Sequence, residues 1–312
     1  MTPSSSERLM LLDTASLYFR AYYGVPDSIK APNGTPVNAV RGLLDFMSRL
    51  VADYRPTHLV CCWDNDWRPQ WRVDLIPSYK SHRVEYVVAG AADVEVVPDP
   101  LEAQVPVILD VLHAFGIAVV GADGYEADDV IGTLSQQAGM PVDVVTGDRD
   151  LFQLVDDEAE VRILYIARGV GRHERVTNSV VREKYGIDGR QYADFAALRG
   201  DPSDGLPGVA GIGEKTAATL LQRFDTMAGL RAAVEDPSSN IAPSPRRKIR
   251  DAGAYLEVAP TVVAVARDID LAAPDLTLPL TPRDPERLVA LSREWNLESP
   301  IARFVETLTN LH

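Results

Sequence analysis

The chain has 312 residues, 46% of them hydrophobic and 24% charged, and its formal net charge is −14 at pH 7. This length allows a substantial core and more than one domain. No apolar run approaches the ~20 residues of a membrane-spanning helix, and residues 9–12 are too short for a secretory signal. We therefore expect a cytoplasmic protein without a membrane partner. The charge argues against a general nucleic-acid coat but not against a nuclease, because acids that hold metal ions count fully in it.

Short apolar runs alternate with helical patterns along the chain. Amphipathic spacing predicts helices over residues 37–54 and 102–115. This alternation favours an α/β fold, a central and mostly parallel sheet flanked by helices. Cys61 and Cys62 are adjacent, so they point to opposite faces of a strand and are predicted to be buried rather than disulfide-bonded. The predicted strands are residues 8–12, 57–63, 117–120, 142–146, 161–166 and 174–177.

Acidic residues follow the first four predicted strands. Chance explains an acid after any one strand, since Asp favours turns, but four coincidences are harder to explain. Ligands of open parallel sheets bind beyond the carboxyl ends of the strands, so these side chains should converge at one edge. Carboxylate oxygens suit Mg²⁺ or Mn²⁺. The acids are Asp13, Asp64, Glu126, Asp128, Asp129, Asp148 and Asp150.

Three of these acids, Glu126, Asp128 and Asp129, crowd the start of one predicted helix. The positive end of the helix dipole tolerates negative charge there, and capping needs one or two acids. A third carboxylate suggests a divalent cation. Taken alone, however, the stretch is better explained as an ordinary acid-rich helix start.

A second group of residues lies at 198–224. Asp201 and Asp204 occupy a Gly/Pro-rich loop, and the glycine-rich stretch 208–213 leads into a helix near Glu214. Glycines allow close approach of a ligand, and a helix N-terminus suits a phosphate, as in the helix–hairpin–helix grip on a DNA backbone. A plain turn between two helices is the alternative. The basic cluster 246–250 is either a second backbone contact or solvated surface, and the second explanation is slightly favoured.

Together these motifs resemble those of the flap endonuclease / 5′-nuclease family, which includes the 5′-nuclease domain of bacterial DNA polymerase I. The resemblance covers nearly the whole chain, and no polymerase sequence follows, so a free-standing member is expected. The motifs are LLDTASLYFRAYY at 11–23, CWDNDWRPQWR at 62–72, SYKSHR at 78–83, GYEADD at 124–129, TGDRDLFQL at 146–154 and RGDPSDGLPGVAGIGEKTA at 199–217.

The resemblance implies an architecture and a division of the chain. It implies a nuclease core of the PIN type over residues 1–185, with a helical-arch insertion at about 66–100. A helix–hairpin–helix subdomain would follow at 186–260, and residues 261–312 would pack back on the core. One departure is visible, because residues 87–100 are β-branched, acidic and contain Gly and Pro, hence a poor helix. The arch is therefore expected to be irregular or disordered without DNA.

The resemblance also implies an activity, a metal-dependent structure-specific 5′ nuclease acting on 5′ flaps and 5′ ends of DNA or RNA–DNA hybrid in replication and repair. Two or more Mg²⁺ or Mn²⁺ ions would be held by the seven acids above with Asp201 and Asp204, Asp129 acting directly or through water. A potassium ion at the hairpin is a further family expectation, as is a monomer at the nucleoid. Less favoured alternatives are a non-catalytic branched-DNA-binding protein and a small metal-dependent phosphohydrolase.

Basic, aromatic and hairpin residues complete the implied site. Tyr79 resembles an aromatic that stacks on a terminal base. For Trp67 and Trp71 a packed core at the arch base is favoured over stacking. The implied phosphate-contacting catalytic residues are Arg20, Lys80 and Arg83, and the implied DNA-binding residues are Arg72, Tyr79, Gly208, Gly211, Gly213, Lys215 and Thr216.

Overall fold

Five parallel strands and one antiparallel edge strand form the central sheet of the computed structural model, which describes residues 7–86, 93–272 and 274–311. The strand order is β5-β2-β1-β6-β7-β8, and β3 pairs with β4 in a separate ribbon. The strands are β1 Leu9–Asp13, β2 His58–Cys62, β3 Val84–Tyr86, β4 Val94–Glu95, β5 Ala118–Val120, β6 Val142–Thr146, β7 Val161–Tyr165 and β8 Glu174–Val176.

Helices cover both faces of this sheet. Within the described ranges they are α1 Thr14–Gly24, α2 Asn38–Tyr54, α3 Gln70–Leu75, α4 Asp99–Glu102, α5 Val105–Phe115, α6 Ala127–Gln137, α7 Asn178–Tyr185, α8 Tyr192–Arg199, α9 Glu214–Phe224, α10 Met227–Glu235, α11 Pro243–Asp251, α12 Gly253–Val263, α13 Pro285–Trp295 and α14 Glu298–Thr309. None of them is long and apolar enough to cross a membrane.

The alternation of side chains along β1 divides the core into two layers. Leu9 and Leu11 face one layer, together with residues of α6 and α8–α12, while Met10 and Leu12 face the other, with α1, α2, α5, α13 and α14. All four side chains are buried because β1 is central in the sheet. The α/β architecture with a mostly parallel sheet is therefore confirmed.

The two cysteines follow the same alternation. Cys61 packs in one layer and Cys62 in the other, and both are buried free thiols. Burial raises the pKa of both thiols, that of Cys61 to about 12. The prediction of buried, unbridged cysteines is confirmed.

The sheet register brings the strand ends to one edge. Asp13 at the end of β1 pairs with Cys62, the last residue of β2, and Leu12 pairs with Val145 near the end of β6. Because these neighbours run parallel, the loops that follow them leave from the same side of the sheet. The site described below occupies that side.

The insertion at 66–100 differs from the predicted helical arch. Where the structure describes it, the insertion contains the short helix α3 and the antiparallel ribbon of β3 and β4, and residues 87–92 lie outside the described residues. β-Branched residues favour an extended chain over a helix, which explains the ribbon. A helical arch is thus wrong for the described part, in agreement with the poor helix propensity noted from the sequence.

The C-terminal helices pack against the face of the sheet that α2 and α5 cover. Phe304 of α14 is fully buried, and its ring meets that of Phe115 edge to face with 4.9 Å between centroids. The backbone of residues 276–278 hydrogen-bonds to that of residues 57–59 beside β2. The residue boundaries of the three domains stay a prediction.

Replacing Phe304 tests how much this packing contributes. We expect Phe304→Ala to lower the free energy of unfolding by about 3–5 kcal/mol, because it removes a buried aromatic and leaves a cavity. Val289→Ala on the neighbouring helix α13 is the control, since Val289 is half exposed, and it should shift stability by less than about 0.5 kcal/mol. Urea unfolding followed by circular dichroism measures both; equal losses would contradict the packing described here.

Candidate active site

A cleft of about 910 Å³ opens at the carboxyl edge of the sheet. Six of the predicted metal-ligating acids line it, together with two predicted basic residues, and aromatic side chains form part of its wall. The cleft thus combines concentrated negative charge with cations at its border. The lining acids from the prediction are Asp13, Asp64, Glu126, Asp128, Asp148 and Asp201, and the cations are Lys80, Arg83, Arg149 and Arg199.

Backbone amides and a threonine fix the acids at the strand ends. Asp13 caps α1 by accepting from the Ser16 N–H at 3.1 Å, and its other oxygen accepts from the Thr146 hydroxyl at 2.7 Å. Asp64 accepts from the Ala127 N–H, the first residue of α6, at 2.8 Å. These bonds hold the carboxylates rigidly beside one another at the sheet edge.

Two further pairs of acids stand on the loops after β6 and α8. The Asp148 N–H donates to the Thr146 hydroxyl at 2.9 Å, and the Asp150 N–H donates to the Asp148 carboxylate at 2.9 Å. Asp201 accepts from the Ser203 N–H at 2.9 Å and from Arg199 at 3.1 Å. The structure therefore brings acids separated by almost two hundred residues of sequence to one place.

Burial and mutual repulsion disfavour ionisation of this set. Burial, with the charges of Asp64 and Asp148, raises the pKa of Asp13 to about 7. Burial is also the largest cause of the raised pKa of Asp128 and Asp150, and neighbouring carboxylates add to it. The pKa values of Asp64 and Asp148 are raised for the same first reason. Such a set would be stabilised by added positive charge.

The acids line one cleft, but their carboxylate groups do not converge on a single metal-binding position. Among the described residues, no group of three or more His, Cys, Asp or Glu side chains is arranged to hold a metal ion as the side chains stand. The chain's own cations occupy part of the set, with Lys80 on Glu126, Arg83 on Asp204 and Arg199 on Asp201. The chemistry of the donor set nevertheless fits a hard divalent cation, because every donor is a carboxylate oxygen.

Glu126 is the acid of the cleft that pairs with two of the protein's own cations, Arg72 and Lys80. Its carboxylate accepts from the Tyr79 hydroxyl at 3.0 Å, from the Lys80 ammonium at 2.9 Å, and lies 3.1 Å from Arg72. Burial raises the pKa of Glu126 to about 7, although the charges of Lys80 and Arg72 oppose this shift. Burial alone would lower the pKa of Lys80, but the charge of Glu126 raises it well above its ordinary value.

Arg72 and Asp129 form a buried ion pair, which corrects two predictions. Arg72 is 2% exposed and donates through both terminal nitrogens to Asp129, at 2.8 and 2.7 Å, and through Nε to the Val262 carbonyl at 3.0 Å. Asp129 is fully buried and also accepts from the Ala266 N–H at 2.8 Å. The Arg72 guanidinium is therefore buried in an ion pair rather than exposed for DNA to contact, and Asp129 caps α6 and holds Arg72 instead of lining the cleft.

Tyr79 is also buried rather than available to a base. Tyr79 is 3% exposed, and its hydroxyl donates a hydrogen bond to Glu126. The predicted stacking on a terminal base is therefore wrong for this structure. Trp71 is half-buried beneath Arg72, whose guanidinium lies 4.5 Å from its ring, as favoured from the sequence. Trp67 is half-buried and lines the cleft.

The turn at 78–83 docks on the loop that carries Asp201 and Asp204. The Lys80 N–H donates to the Asp204 carbonyl at 3.0 Å, Arg83 donates to the Ser203 carbonyl at 2.9 Å, and the Ser78 hydroxyl donates to the Gly205 carbonyl at 2.7 Å. The contact sets the position of both predicted phosphate-binding cations relative to the acids. Gly205 has φ +69°, and a Cβ there would lie 2.0 Å from the Ser78 carbonyl oxygen.

The glycine-rich hairpin lies next along the chain and packs against the same loop. Gly208 has φ +66°, and a Cβ there would meet the Gly200 nitrogen at 2.5 Å, so only glycine allows this approach. A Cβ on Gly213 would meet nothing within 4 Å. No side chain caps the start of α9, whose first residue Glu214 lines the cleft. Lys215 is exposed and Thr216 half-buried.

Two arginines near the cleft differ in how well they could be found from the sequence. Arg20, a predicted catalytic residue, is half-buried and donates to the Ala167 carbonyl at 3.2 Å, close to Gly147 of the cleft wall. Arg199, which sequence reasoning missed, bridges Asp201 at 3.1 Å and Glu214 at 3.4 Å. Arg199 lies directly before the GDPSDG sequence that carries Asp201 and Asp204, and this adjacency is the feature of the sequence that indicates its place beside the acids.

Two family models match consecutive parts of the chain. A model described as 5′-3′ exonuclease, N-terminal resolvase-like domain, matches residues 8–186, and one described as 5′-3′ exonuclease, C-terminal SAM fold, matches residues 187–286. Together they cover most of the described structure. The match also spans both groups of acids that meet in the cleft.

Relatives and solved structures agree with these models. A 5′-3′ exonuclease of Streptomyces coelicolor is 61% identical over 300 residues, covering 96% of this chain and 100% of the relative. One of Mycobacterium tuberculosis is 50% identical, covering 97% of this chain and 98% of the relative. A bacteriophage T5 D15 flap endonuclease complex with DNA and metal ions shares the fold, with a TM-score of 0.62, 15% identity, and coverage of 98% and 99%.

The buried pair of Arg72 and Asp129 predicts a large loss when one partner is removed. Arg72→Met should lower the free energy of unfolding by about 3–5 kcal/mol, because it leaves a buried carboxylate without its cation. Adding Asp129→Asn should recover part of the loss. Arg182→Met, which removes an exposed pair with Asp188, is the control and should leave the urea midpoint unchanged. Equal midpoints for Arg72→Met and the wild type would contradict this role.

A side chain at position 205 should strain the structure in two ways, through the positive φ of Gly205 and through a steric clash with the Ser78 carbonyl oxygen. Gly205→Ala should destabilise by about 1–3 kcal/mol. Gly139→Ala is matched to it, since Gly139 has φ +61° but a Cβ there would meet nothing within 4 Å. The excess loss in Gly205→Ala over Gly139→Ala, measured by thermal unfolding, reports the docking of the two loops. No excess would mean that the loops are not tightly docked.

Proposed function

This chain belongs to the 5′-3′ exonuclease family, a family of nucleases, and from that premise we propose how it acts. The substrate is DNA with a 5′ flap or a 5′ end, or an RNA–DNA hybrid, and hydrolysis of the phosphodiester depends on divalent metal ions. The observation that supports this proposal is the convergence of six carboxylates in one cleft, bordered by Lys80 and Arg83. A replication and repair role, including RNA primer removal, follows from such substrates.

We propose that two or more Mg²⁺ or Mn²⁺ ions bind between two groups of acids. Asp148, Asp150, Asp201 and Asp204 form one group, and Asp13, Asp64, Glu126 and Asp128 form the other. When bound, the ions supply an activated water and stabilise the charge on the attacked phosphodiester. Asp129 is not included among the metal ligands, because its carboxylate oxygens already accept hydrogen bonds from Arg72 and from the Ala266 N–H. The T5 flap endonuclease complex, which contains metal ions, supports a metal site in this fold.

Lys80 and Arg83 would hold the phosphate beside the acids. Lys80 is 12% exposed at its side chain, and its ammonium sits on Glu126, so it carries positive charge directly at the cleft wall. Arg83 is anchored on the loop of Asp204 and is more exposed. Donors fixed in this way stabilise developing charge without having to reorganise during the reaction. Arg20 would add positive charge at the edge of the cleft.

The hairpin would bind the DNA backbone without reading bases. Gly208 and Gly211 shape the turn, Gly213 is open to a close approach, and the uncapped start of α9 offers N–H groups near Lys215 and Thr216. A potassium ion at this turn is the family expectation, but the Lys248 ammonium already donates to the Gly211 carbonyl at 2.9 Å, and the consequence of that contact is argued below. Binding should weaken steeply as salt rises, because phosphate contacts release counterions.

The remaining expectations concern the whole molecule. We propose a monomer with a nuclease core at 1–185, a DNA-binding subdomain at 186–260 and a C-terminal segment at 261–312. Work in the cytoplasm at the nucleoid stays a prediction from the sequence. A branched-DNA-binding protein without catalysis is the alternative, and the cleavage test below separates the two.

Replacing Asp148 tests the site. Asp148→Ala should slow cleavage of a labelled 5′-flap duplex in Mn²⁺ by two or more orders of magnitude, roughly 3 kcal/mol or more of activation free energy, because it removes a central metal-ligating oxygen. Circular dichroism and flap binding should be unchanged. Asp53→Ala is the control, since Asp53 is a half-exposed acid on α2.

Three outcomes would count against the proposal. Unchanged turnover in Asp148→Ala would reject the assigned metal site. Intact flap binding by the wild type without cleavage in Mg²⁺ or Mn²⁺ would favour the non-catalytic alternative. Cleavage of small phosphate esters without salt-dependent DNA binding would favour a small phosphohydrolase.

A further inference from the structure

The basic cluster of α11 separates into residues with different tasks. Arg246 donates to the carbonyls of Val234, Asp236 and Ser239, and thereby closes the loop between α10 and α11. Arg250 donates to the Val234 carbonyl and pairs with Glu235. These two guanidinium groups are structural. The cluster is therefore not simply a solvated basic surface, as the sequence alone suggested.

Lys248 is the member of this cluster that reaches the hairpin. Its ammonium donates to the Gly211 carbonyl at 2.9 Å, across 37 residues of sequence. Ile249, the next residue, is 2% exposed and fixes the rotation of α11 about its axis. Arg247 on the other side is exposed to solvent. The contact is thus set by the packing of the helix rather than by a free surface side chain.

Gly211 is shaped to receive this ammonium. It has φ +74°, and a Cβ at this position would lie 2.7 Å from the Lys248 Nζ and 3.1 Å from its Cε. A larger residue would therefore displace the lysine from the turn. The Nζ atom has three N–H donors and uses one on Gly211, and no carboxylate in the described ranges pairs with it. Two donors and the full charge remain available.

We propose that Lys248 is a DNA-binding residue whose ammonium contacts a backbone phosphate at the hairpin, in the position where a bound monovalent cation would otherwise supply positive charge. This inference rests on the proposed DNA-binding function of the hairpin. An ammonium held on the Gly211 carbonyl, three residues before the first residue of the uncapped α9, would add positive charge to the N–H groups at the start of that helix, where a phosphate would bind.

The charges around the hairpin explain why such a cation is needed. The chain as a whole carries −14, and Glu214, 60% exposed at its side chain, stands on the first turn of α9. Arg199 offsets Glu214 from the side of the cleft, at 3.4 Å. Lys248 adds a second positive charge at the hairpin, on the Gly211 carbonyl. A phosphate at the Gly211 turn would therefore find a positive charge close by, despite the acidic chain as a whole.

The test measures binding of a fluorescent 5′-flap duplex over a series of KCl concentrations, in Ca²⁺ with cleavage checked on a gel. Lys248→Met should weaken binding about eightfold at about 0.1 M salt and reduce the slope of log K against log salt by about one, the effect of one lost phosphate contact. Lys248→Arg, which keeps the charge, should retain the slope. Lys184→Met, which removes a lysine paired with Glu174 elsewhere, is the control and should match the wild type.

A second arm distinguishes the lysine from a bound ion. Affinities are compared in K⁺ and in tetramethylammonium, which is too large to replace a small cation on a carbonyl. The wild type should bind DNA equally in both salts. Lys248→Met, in which the Gly211 carbonyl is free, should bind more tightly in K⁺. Melting curves of each variant confirm that the fold is intact.

The outcomes separate the inference from the function on which it rests. If the wild type shows no salt-dependent binding to the duplex, the proposed DNA-binding function fails. If the wild type binds but Lys248→Met has the same affinity and slope as Lys184→Met, the role of Lys248 is overturned while the function stands. A wild type that requires K⁺ would also overturn it, since the lysine would then not replace the ion.

Discussion

The main constraint on this structure is the electrostatic repulsion between carboxylates that the parallel sheet brings together. Parallel pairing of β1 with β2 and β6 leaves no freedom to separate Asp13 from Asp64 and Asp148, because each follows a strand whose register is fixed by buried side chains. Burial raises the pKa of Asp13 to about 7, so the folded chain opposes the ionised form of its own site. A fold accepts such a cost where added cations remove it, and active sites are where it usually occurs.

The protein's own cations compensate this repulsion unevenly. Arg72 is committed to Asp129 and to the backbone at Val262, and its burial prevents any exchange with a ligand. Lys80 is different, since its side chain is 12% exposed and lines the cleft, where its ammonium pairs with Glu126. Arg72 therefore stabilises the fold, whereas Lys80 lines the cleft, where under the proposed function a phosphate would compete with Glu126 for its ammonium. The three acids at the start of α6 divide in the same way between structure and site.

The sequence was most informative where the physics is local or follows from topology. Short apolar runs predicted the strands, and the rule for parallel sheets then predicted that Asp13, Asp64 and Asp148 meet. It failed for Arg72, Tyr79 and Asp129, because their surroundings come from distant segments. The partners of Arg72 and Asp129 include residues 262–266, and no spacing within residues 66–83 or 124–129 indicates that contact. An acid that caps a helix and one that binds a metal look the same in a motif.

Glycine contacts join the two halves of the site into one mechanical unit. Gly208 lies against the backbone of Gly200, and Gly205 lies against that of Ser78, at distances that no side chain would permit. In these contacts the backbone of one loop touches the backbone of the other, and backbone atoms cannot move aside as a flexible side chain can. Displacement of one loop must therefore displace the other. The loop of Asp201 and Asp204 therefore lies between the hairpin and the turn of Lys80 and touches both. Under the proposed function, binding of a phosphate at the hairpin and positioning of the acids would thus be linked by contact, and cleavage would depend on correct placement of the duplex.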